Sequence, residues 1–191
     1  GGSNNTTFDS NGGLRGTKGK IQEGGIRVPL VMRWPLKINS KSKLKAGTDS
    51  AKIVDVTDLL PTFSELAGAP IPLSIDGVSI APMLRGYGHQ RQREFIIHEA
   101  SNGQSIIHGK HKLIRTRIKG NKNTPLELYD LETDHAEENN IAANHPTLVN
   151  KLHALLLGER VTEVKGFANT YHYWNGGADG QVSNPANWSD Y

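Results

Sequence analysis

Four short runs between positions 94 and 130, each with two or three apolar residues, constrain the fold of this chain more than any other feature. They cover residues 94–99, 104–108, 111–117 and 126–130. Gly109 and Lys110 separate the second run from the third, and glycine supplies the positive φ that a tight reversal needs. Short runs joined by turns of this kind are typical of hairpins. The pattern therefore predicts a small antiparallel sheet.

A helical pattern follows the last of these runs. Pro146 opens it, and proline is well tolerated in the first turn of a helix because its missing N–H has no intrahelical partner there. Apolar residues then recur three and four positions apart, at Leu148, Val149, Leu152, Leu155 and Leu156. They fall on one face of a helix. We expect that face to cover the sheet.

A second helix is predicted over residues 53–67, where the apolar residues are again mostly three or four apart. Gly68 follows in the position of a C-terminal cap. Pro61 is compatible with this helix only if the regular part begins just before it, because a proline further inside removes a hydrogen bond. Thr57 or Asp58 would then be the N-terminal cap. One face of the helix is expected to be buried.

A glycine-rich, basic loop precedes both patterns. Residues 14–29 read LRGTKGKIQEGGIRVP, and Lys18 lies between Gly16 and Gly19. Such a loop allows the backbone and an ammonium group to approach an anion closely. Loops of this composition are nevertheless common, and most of them are ordinary surface turns. On these residues alone an anion site is therefore only a hypothesis.

The continuation of this loop is expected to turn sharply and then to extend. Gly24 and Gly25 provide the φ freedom that suits a sharp turn. Residues 26–34, IRVPLVMRW, are predicted to form a strand, in which Pro29 is tolerable at a first position or a bulge.

The same segment resembles a pattern of the sulfatase family. In that pattern a Gly-Lys-Gly loop is followed by Glu-Gly-Gly-(Ile/Val)-Arg-x-Pro and by a strand that ends in Trp-Pro. The matching positions are Lys18, Glu23, Gly24, Gly25, Arg27, Pro29, Trp34 and Pro35.

Three further matches follow in the family's order. Asp58, Pro61 and Thr62 resemble its Asp-x-x-Pro-Thr helix, and the Asp-Gly-x-Ser segment follows at residues 76–79. GKHKLIRT resembles the family's Lys-Leu strand, and LELYDLETDHAEENNIA resembles its Leu-Tyr-Asp-Leu turn. The four matches span about residues 14–157, and on them the chain is identified as the C-terminal portion of a sulfatase.

The resemblance implies an α/β fold. It comprises the end of an alkaline-phosphatase-like sulfatase domain and a small antiparallel sheet packed on a helix. We assign residues 1–92 to the catalytic α/β domain and residues 93–160 to the antiparallel subdomain. Residues 161–191 differ from the rest in composition, because they hold aromatic residues among Gly, Asn and Ser. We interpret them as a linker and the start of an appended β-rich module.

The resemblance also implies a sulfuric ester hydrolase that uses a formylglycine and a calcium ion. The family makes formylglycine from Cys or Ser in a Cys/Ser-x-Pro-x-Arg motif, and this chain contains neither that motif nor the family's Thr-Ser-Asp-Asn-Gly calcium segment. Residues 8–12, FDSNG, imitate that segment but lie too close to Lys18, so Asp9 and Asn11 are not assigned as ligands. Both cofactors are expected outside this chain, which is expected to be inactive alone.

Lys18 is the one catalytic residue that the resemblance assigns here, as a cation that neutralises sulfate oxygens. His98, at the end of the first sheet run, is a second candidate for substrate binding, because strand ends often face clefts. Glu23 and Arg27 are expected to be structural, fixing the Gly24-Gly25 turn by an ion pair or by backbone hydrogen bonds.

Composition and charge limit the partners. The chain has 22 Lys and Arg against 19 Asp and Glu, a net charge of +3 that argues against nucleic acid as the default partner. No apolar run is long enough to span a membrane, and the histidines lack zinc-ligand spacing. The resemblance implies a sulfated carbohydrate or aryl sulfate substrate, a periplasmic or extracellular location, and contact with the N-terminal half of the same polypeptide.

Two alternatives remain open at this stage. The aromatic tail, with Trp174 and Trp188, and the absent nucleophile would also suit a non-catalytic carbohydrate-binding or cell-surface module. A phosphatase or phosphodiesterase of the same superfold is the other, because the fold alone does not determine which ester is cleaved.

Overall fold

The computed structural model describes residues 9–39, 41, 43–72, 75–100, 102–116 and 125–158, together with the backbone of two short strands near the end of the chain. Its helices are α1 (Glu23–Ile26), α2 (Leu59–Ala67), α3 (Ala81–Arg85) and α4 (Pro146–Gly158). Its strands are β1 (Phe95–Ala100), β2 (Gly103–His108), β3 (His111–Thr116), β4 (Glu127–Asp130), β5 (His172–Trp174) and β6 (Trp188–Asp190). Contacts divide the chain into two units, Gly1–Leu156 and Leu157–Tyr191.

Strands β1 to β4 form the predicted antiparallel sheet, in the order β1-β2-β3-β4. Every predicted boundary lies within one residue of the observed one. The tight turn between β2 and β3 is also confirmed, because His108 pairs with His111 and Gly109 has a φ of 59°. The α/β fold class, with a small sheet packed on a helix, is therefore confirmed.

One face of the sheet packs against α4. Ile106, Leu113 and Leu128 come from three neighbouring strands and are all fully buried. Leu152 and Leu156 of α4 complete this cluster, at 0% and 2% exposure. Full burial of a leucine stabilises a fold by about 1.5–3 kcal/mol. The helical spacing predicted this contact, and the structure confirms it.

The opposite face of the sheet packs against the glycine-rich loop. Ile107, Ile114, Tyr129 and Leu131 form a second buried cluster, and Ile21 of the loop is fully buried among them. Successive residues of a strand point to opposite faces, so the neighbours of the first cluster build the second. The loop is thus held on the sheet opposite α4.

The strand predicted over residues 26–34 is wrong. Residue 26 ends α1, and no strand pairing involves residues 27–34 within the described part of the chain. Val28 and Val31 are 63% and 88% exposed. A strand depends on ladder hydrogen bonds to a neighbour, and Pro29 has no N–H to donate. An apolar, β-branched sequence does not supply that neighbour.

The helix predicted over residues 53–67 is present but begins later. A turn of 3-10 helix at Val56–Asp58 leads into α2, which ends at Gly68 with a φ of 67°. Asp58, one of the two predicted residues, is at the N-cap position of α2, but its side chain makes no cap bond to that helix. The side-chain cap belongs to Asp55, at the start of the 3-10 turn, whose carboxylate accepts the Thr57 backbone N–H at 2.9 Å. Asp58 accepts the Asp55 N–H in return, also at 2.9 Å, which completes a capping box.

The apolar face expected to be buried on α2 is largely exposed. Leu60 and Phe63 are 54% and 60% exposed, whereas Thr62 is fully buried. Polar contacts decide this orientation. The Thr62 hydroxyl accepts the backbone N–H of Ile80 at 3.0 Å, and the Asp58 carboxylate accepts that of Val78 at 2.7 Å. The buried side of α2 therefore holds the segment that leads to α3.

In the second unit, β5 and β6 pair antiparallel, with Trp174 opposite Trp188 in register. The rest of the predicted β-rich module lies outside the described residues. Within the described part of the chain, no helix combines the length and the apolarity that a membrane crossing requires.

Candidate functional site

Lys18 lies at the exposed tip of the glycine-rich loop. Gly16 and Gly19 flank it with φ angles of 84° and 82°, a region that favours glycine. The Lys20 N–H donates to the Thr17 carbonyl at 3.0 Å and closes the turn. The Lys18 side chain is exposed and pairs with no acid among the described residues. The loop therefore presents the Lys18 ammonium group to solvent.

Gly24 and Gly25 hold this loop by close approach, which corrects the predicted reason for their presence. Neither has a positive φ, because both lie in α1. The Gly24 N–H donates to the Arg15 carbonyl at 2.7 Å. A Cβ at Gly24 would lie 2.7 Å from that oxygen, and a Cβ at Gly25 would lie 2.6 Å from the Thr17 carbonyl oxygen and overlap the Lys20 carbonyl. Only glycine fits at either position.

Gly25→Ala is therefore expected to destabilise the protein by about 1–3 kcal/mol, the usual cost of overpacking, because the obstructing atoms belong to the backbone. The matched control is Gly158→Ala in α4, where a Cβ meets nothing within 4 Å. Urea unfolding followed by circular dichroism measures both. A Gly25→Ala midpoint equal to that of Gly158→Ala would contradict the close-approach argument.

Glu23 opens α1 and lies in a buried ionic cluster. Its carboxylate accepts from Lys112 Nζ at 2.8 Å and lies 3.5 Å from the Arg27 guanidinium. The predicted Glu23–Arg27 ion pair is thus present. Sequence reasoning missed Lys112, the closer partner, whose side chain is fully buried on β3. The available signal was a lysine two residues from Ile114, on a strand face that the structure buries.

Glu137 is the third member of this cluster. One of its carboxylate oxygens lies 2.7 Å from Lys112 Nζ, in an ionic contact without hydrogen-bond geometry. The other accepts the Glu23 backbone N–H at 3.2 Å. Burial raises the pKa of Glu137, and the neighbouring Lys112 opposes that rise. Its backbone φ of 57° is left-handed, which is uncommon for a residue with a side chain.

Arg15 attaches the other end of the loop to β4. Its guanidinium donates to the Glu127 carboxylate at 2.5 Å and to the Tyr129 hydroxyl at 2.7 Å. It also lies 5.7 Å from the centroid of the Tyr129 ring. Burial alone would raise the pKa of Glu127, but the hydrogen bonds from Arg15 and Tyr129 outweigh burial and lower it.

This lowered pKa predicts a pH dependence of stability. The folded-state pKa of Glu127 lies below the unfolded value of about 4.5, so the folded protein favours the carboxylate. The stabilisation is complete above the unfolded pKa and is lost as the pH falls through the folded pKa. Glu127→Gln should therefore lower the urea midpoint near neutral pH, and the difference should shrink in acid. A difference that stays constant with pH would contradict this assignment.

A neutral contact joins the middle of the loop to the sheet. Asn102, between β1 and β2, accepts the Ile21 N–H at 3.2 Å and donates to the Gln22 side chain at 3.0 Å. The loop is therefore attached to the sheet on both sides of Lys18 in sequence.

His98 lies on β1 in a different environment. Its Nε2 lies 3.1 Å from the Asp55 carboxylate, and its buried Nδ1 has no hydrogen-bond partner within the described residues. Burial alone would raise the pKa of Asp55, but hydrogen bonds from Thr57 and then His98 lower it. Among the described residues, no hydrogen bond or ion pair joins His98 to the Lys18 loop.

The residues present do not fit either cofactor that the resemblance implies. No group of three or more His, Cys, Asp or Glu among the described residues could hold a metal ion. Asp9 instead accepts the Gly13 N–H at 3.2 Å, and Asn11 donates to the Gly16 carbonyl. The sequence also contains no Cys/Ser-x-Pro-x-Arg motif from which a formylglycine could be made.

Comparison with known proteins gives one consistent result. Residues 17–162 match the family described as N-sulphoglucosamine sulphohydrolase, C-terminal. An ulvan-active sulfatase of Formosa agariphila is 30% identical over 164 residues, covering 68% of this chain and 32% of that protein. An N-acetylgalactosamine-6-O-sulfatase of Bacteroides thetaiotaomicron is 30% identical over 156 residues, covering 74% and 29%.

One solved structure is also similar to this chain. It comes from work on the metabolism of multiple glycosaminoglycans by Bacteroides thetaiotaomicron, and it matches with a TM-score of 0.57 and 27% identity. The match covers 77% of this chain and 32% of that one. This chain thus spans about a third of the length of the proteins that it matches.

Proposed function

This chain belongs to the sulfatase family, and from that premise we propose that it forms the C-terminal part of a sulfuric ester hydrolase and contributes one wall of the active site. Residues 1–92 would complete the catalytic α/β domain, residues 93–160 would form the antiparallel subdomain, and residues 161–191 would begin an appended module. The observation that carries the proposal is the free ammonium of Lys18 on a loop fixed to the sheet.

Lys18 acts in this proposal as the residue that contacts the sulfate. An ammonium aimed at the sulfate oxygens neutralises the charge that develops as the ester bond breaks, and a fixed loop requires little reorganisation during the reaction. The neighbouring contacts support that role, because Arg15 and Glu23 attach the loop to β4 and β3.

The nucleophile and the calcium ligands come from outside these 191 residues in this proposal. When bound, the calcium ion and the formylglycine of the family would supply sulfate polarisation and the attacking group. The proposal rests on the absence of both motifs from the sequence and on donor groups that do not fit a metal.

The partner proposed for the exposed apolar surface is the N-terminal half of the same polypeptide. Val28 and Val31 are exposed beside the Lys18 loop, and Leu60 and Phe63 are exposed on α2. Several large apolar side chains left exposed in this way are typical of a surface that another protein segment covers. The segment that buries these apolar side chains would then also carry the remaining catalytic residues.

The proposed substrate class is sulfated carbohydrate, with aryl sulfates as convenient test compounds. Two relatives support it, since one is named for ulvan and the other for N-acetylgalactosamine 6-O-sulfate. A periplasmic or extracellular location is proposed on the same ground, because polymeric sulfated glycans are met outside the cell.

The test of the function uses the full-length enzyme and this chain alone, each with a chromogenic aryl sulfate and calcium. We expect turnover by the full-length enzyme and none by the isolated chain. Higher kcat/KM for the matching aryl phosphate would instead indicate a phosphatase or phosphodiesterase of the same superfold. Glycan binding without any turnover by the full-length protein would indicate a carbohydrate-binding module. Turnover by the isolated chain would contradict the external nucleophile.

His98 is proposed as a substrate-binding residue, on the ground of its partly exposed side chain, at 26%, and of an Nδ1 that has no partner among the described residues. His98→Ala should raise KM for a sulfated oligosaccharide by about tenfold with kcat little changed, the effect of losing one hydrogen bond that the substrate makes in both ground and transition states. His135→Ala, an exposed histidine, is the control. A lower melting temperature with unchanged KM would show that His98 serves only to hold Asp55.

A further inference from the structure

We infer that buried Lys112 is a positioning residue for Lys18, acting through Glu23 and α1 to fix the loop that presents the sulfate-contacting ammonium. The inference rests on the proposed function of Lys18. It assigns one role to three separate sequence segments, namely the Glu-Gly-Gly turn, the Lys-Leu strand and the acidic turn that contains Glu137.

Lys112 is buried between two carboxylates. Lys112 is 0% exposed, and its ammonium lies 2.8 Å from a Glu23 oxygen and 2.7 Å from a Glu137 oxygen. It shares its strand face with Ile114 of the apolar cluster. Buried ion pairs contribute little net stability compared with apolar residues of similar volume. The geometry that this cluster imposes is therefore the better explanation of its presence.

The position of Glu23 determines the position of the Lys18 loop through α1. Glu23 is the first residue of α1, a single turn, and Gly24 and Gly25 follow it directly. Both glycines lie against loop carbonyls so closely that a Cβ would overlap them. Because no side chain separates the helix from the loop, a shift of Glu23 must move the backbone that surrounds Lys18.

Glu137 holds the backbone of Glu23. Glu137 contacts Lys112 and also accepts the backbone N–H of Glu23 at 3.2 Å. It does so from a left-handed backbone conformation, with a φ of 57°. The start of α1 is therefore held at its side chain by Lys112 and at its backbone by Glu137.

The position of Lys18 depends on the loop that these contacts hold in place. Its side chain makes no ion pair within the described part of the chain, so among these residues the loop backbone is what fixes where the Lys18 side chain begins and in which direction it projects. A displacement of about 1 Å in a catalytic group can lower a rate by about 10²-fold. A rigid connection to a buried cluster prevents such a displacement.

The experiment is a double-mutant cycle in the full-length enzyme with an aryl sulfate, using Lys18→Ala, Lys112→Met and the double variant. We expect Lys112→Met to lower kcat/KM by about tenfold or more when Lys18 is present. In the Lys18→Ala background the same change should lower it by no more than about twofold, because the group being positioned is gone. Rates are normalised to the folded fraction.

Lys110→Met is the matched control. Lys110 lies two residues from Lys112 and pairs with Asp130 at 2.7 Å, but it is half exposed, and within the described residues no ion pair joins it to α1. It should leave kcat/KM unchanged. If Lys112→Met fails to fold, Glu137→Gln replaces it in the cycle with the same expected non-additivity, since the amide oxygen can still accept the Glu23 N–H.

The outcomes separate the two proposals. If Lys112→Met or its substitute lowers kcat/KM by the same factor in both backgrounds, the residue is merely structural and the positioning role is overturned. If Lys18→Ala alone has no effect, the proposed role of Lys18 fails, and the positioning inference fails with it.

Discussion

If the proposed function is correct, Lys18→Ala in the full-length protein is expected to lower kcat/KM for an aryl sulfate by about 10² or more, the range for removal of one charge-stabilising group from an active site. The loop that carries Lys18 is attached by backbone, ionic and apolar contacts, none of which uses the Lys18 side chain. The substitution therefore removes the ammonium and leaves the loop in place. Steady-state kinetics and a thermal melt measure the two effects separately.

Lys20→Ala is the matched control, because Lys20 is an exposed lysine of the same loop and also pairs with no described acid. We expect it to change kcat/KM by less than about threefold, as is usual for a screened surface charge. An unchanged kcat/KM in Lys18→Ala would refute the assignment. Equal losses in both variants would show that the loop contributes a general positive potential instead of one placed group.

The sheet and α4 could be predicted from sequence because their determinants are local. The turn at Gly109 and Lys110 fixes the register between β2 and β3, and alternation then assigns each residue to a face. The helical spacing after Pro146 likewise fixes which side of α4 meets the sheet. Each element carries its own pattern, and the partner surface lies next to it in the chain.

The errors over residues 26–34 and on the face of α2 have a different origin. The apolar residues of segment 26–34 and of α2 gave ordinary patterns for a strand and for a buried helical face, yet Val31 and Phe63 are exposed. Periodicity shows which residues share a face, but it does not show what covers that face. The polar contacts of Asp58 and Thr62 decided the orientation of α2, and they link residues about 20 positions apart.

The candidate site was predicted in its motif but not in its support. Lys18 and Glu23 were recognised by their resemblance to the family motif, and an ion pair between Glu23 and Arg27 was one of the contacts expected at the Gly24-Gly25 turn. The contact between Glu23 and Lys112 spans 89 residues, and no local pattern specifies such a pairing. A lysine that is buried on a strand needs an acid beside it, although the sequence does not identify which one.

Lys112→Met is expected to destabilise the protein by about 3–5 kcal/mol, the cost of removing one partner from a buried ion pair. Methionine fills the volume of the lysine stem, so packing changes little. The carboxylates of Glu23 and Glu137 would then remain buried without the ammonium, and half-exposed Arg27 at 3.5 Å compensates only one of them. Urea unfolding of the full-length protein, followed by circular dichroism, measures the loss.

Two further variants distinguish this mechanism from a general packing defect. Lys110→Met, which breaks an exposed ion pair on the same hairpin, should cost no more than about 1 kcal/mol. Adding Glu137→Gln to Lys112→Met should recover part of the loss, because it neutralises one uncompensated carboxylate and keeps an acceptor for the Glu23 N–H. A double variant less stable than Lys112→Met alone would mean that Glu137 stabilises the fold through contacts other than its charge.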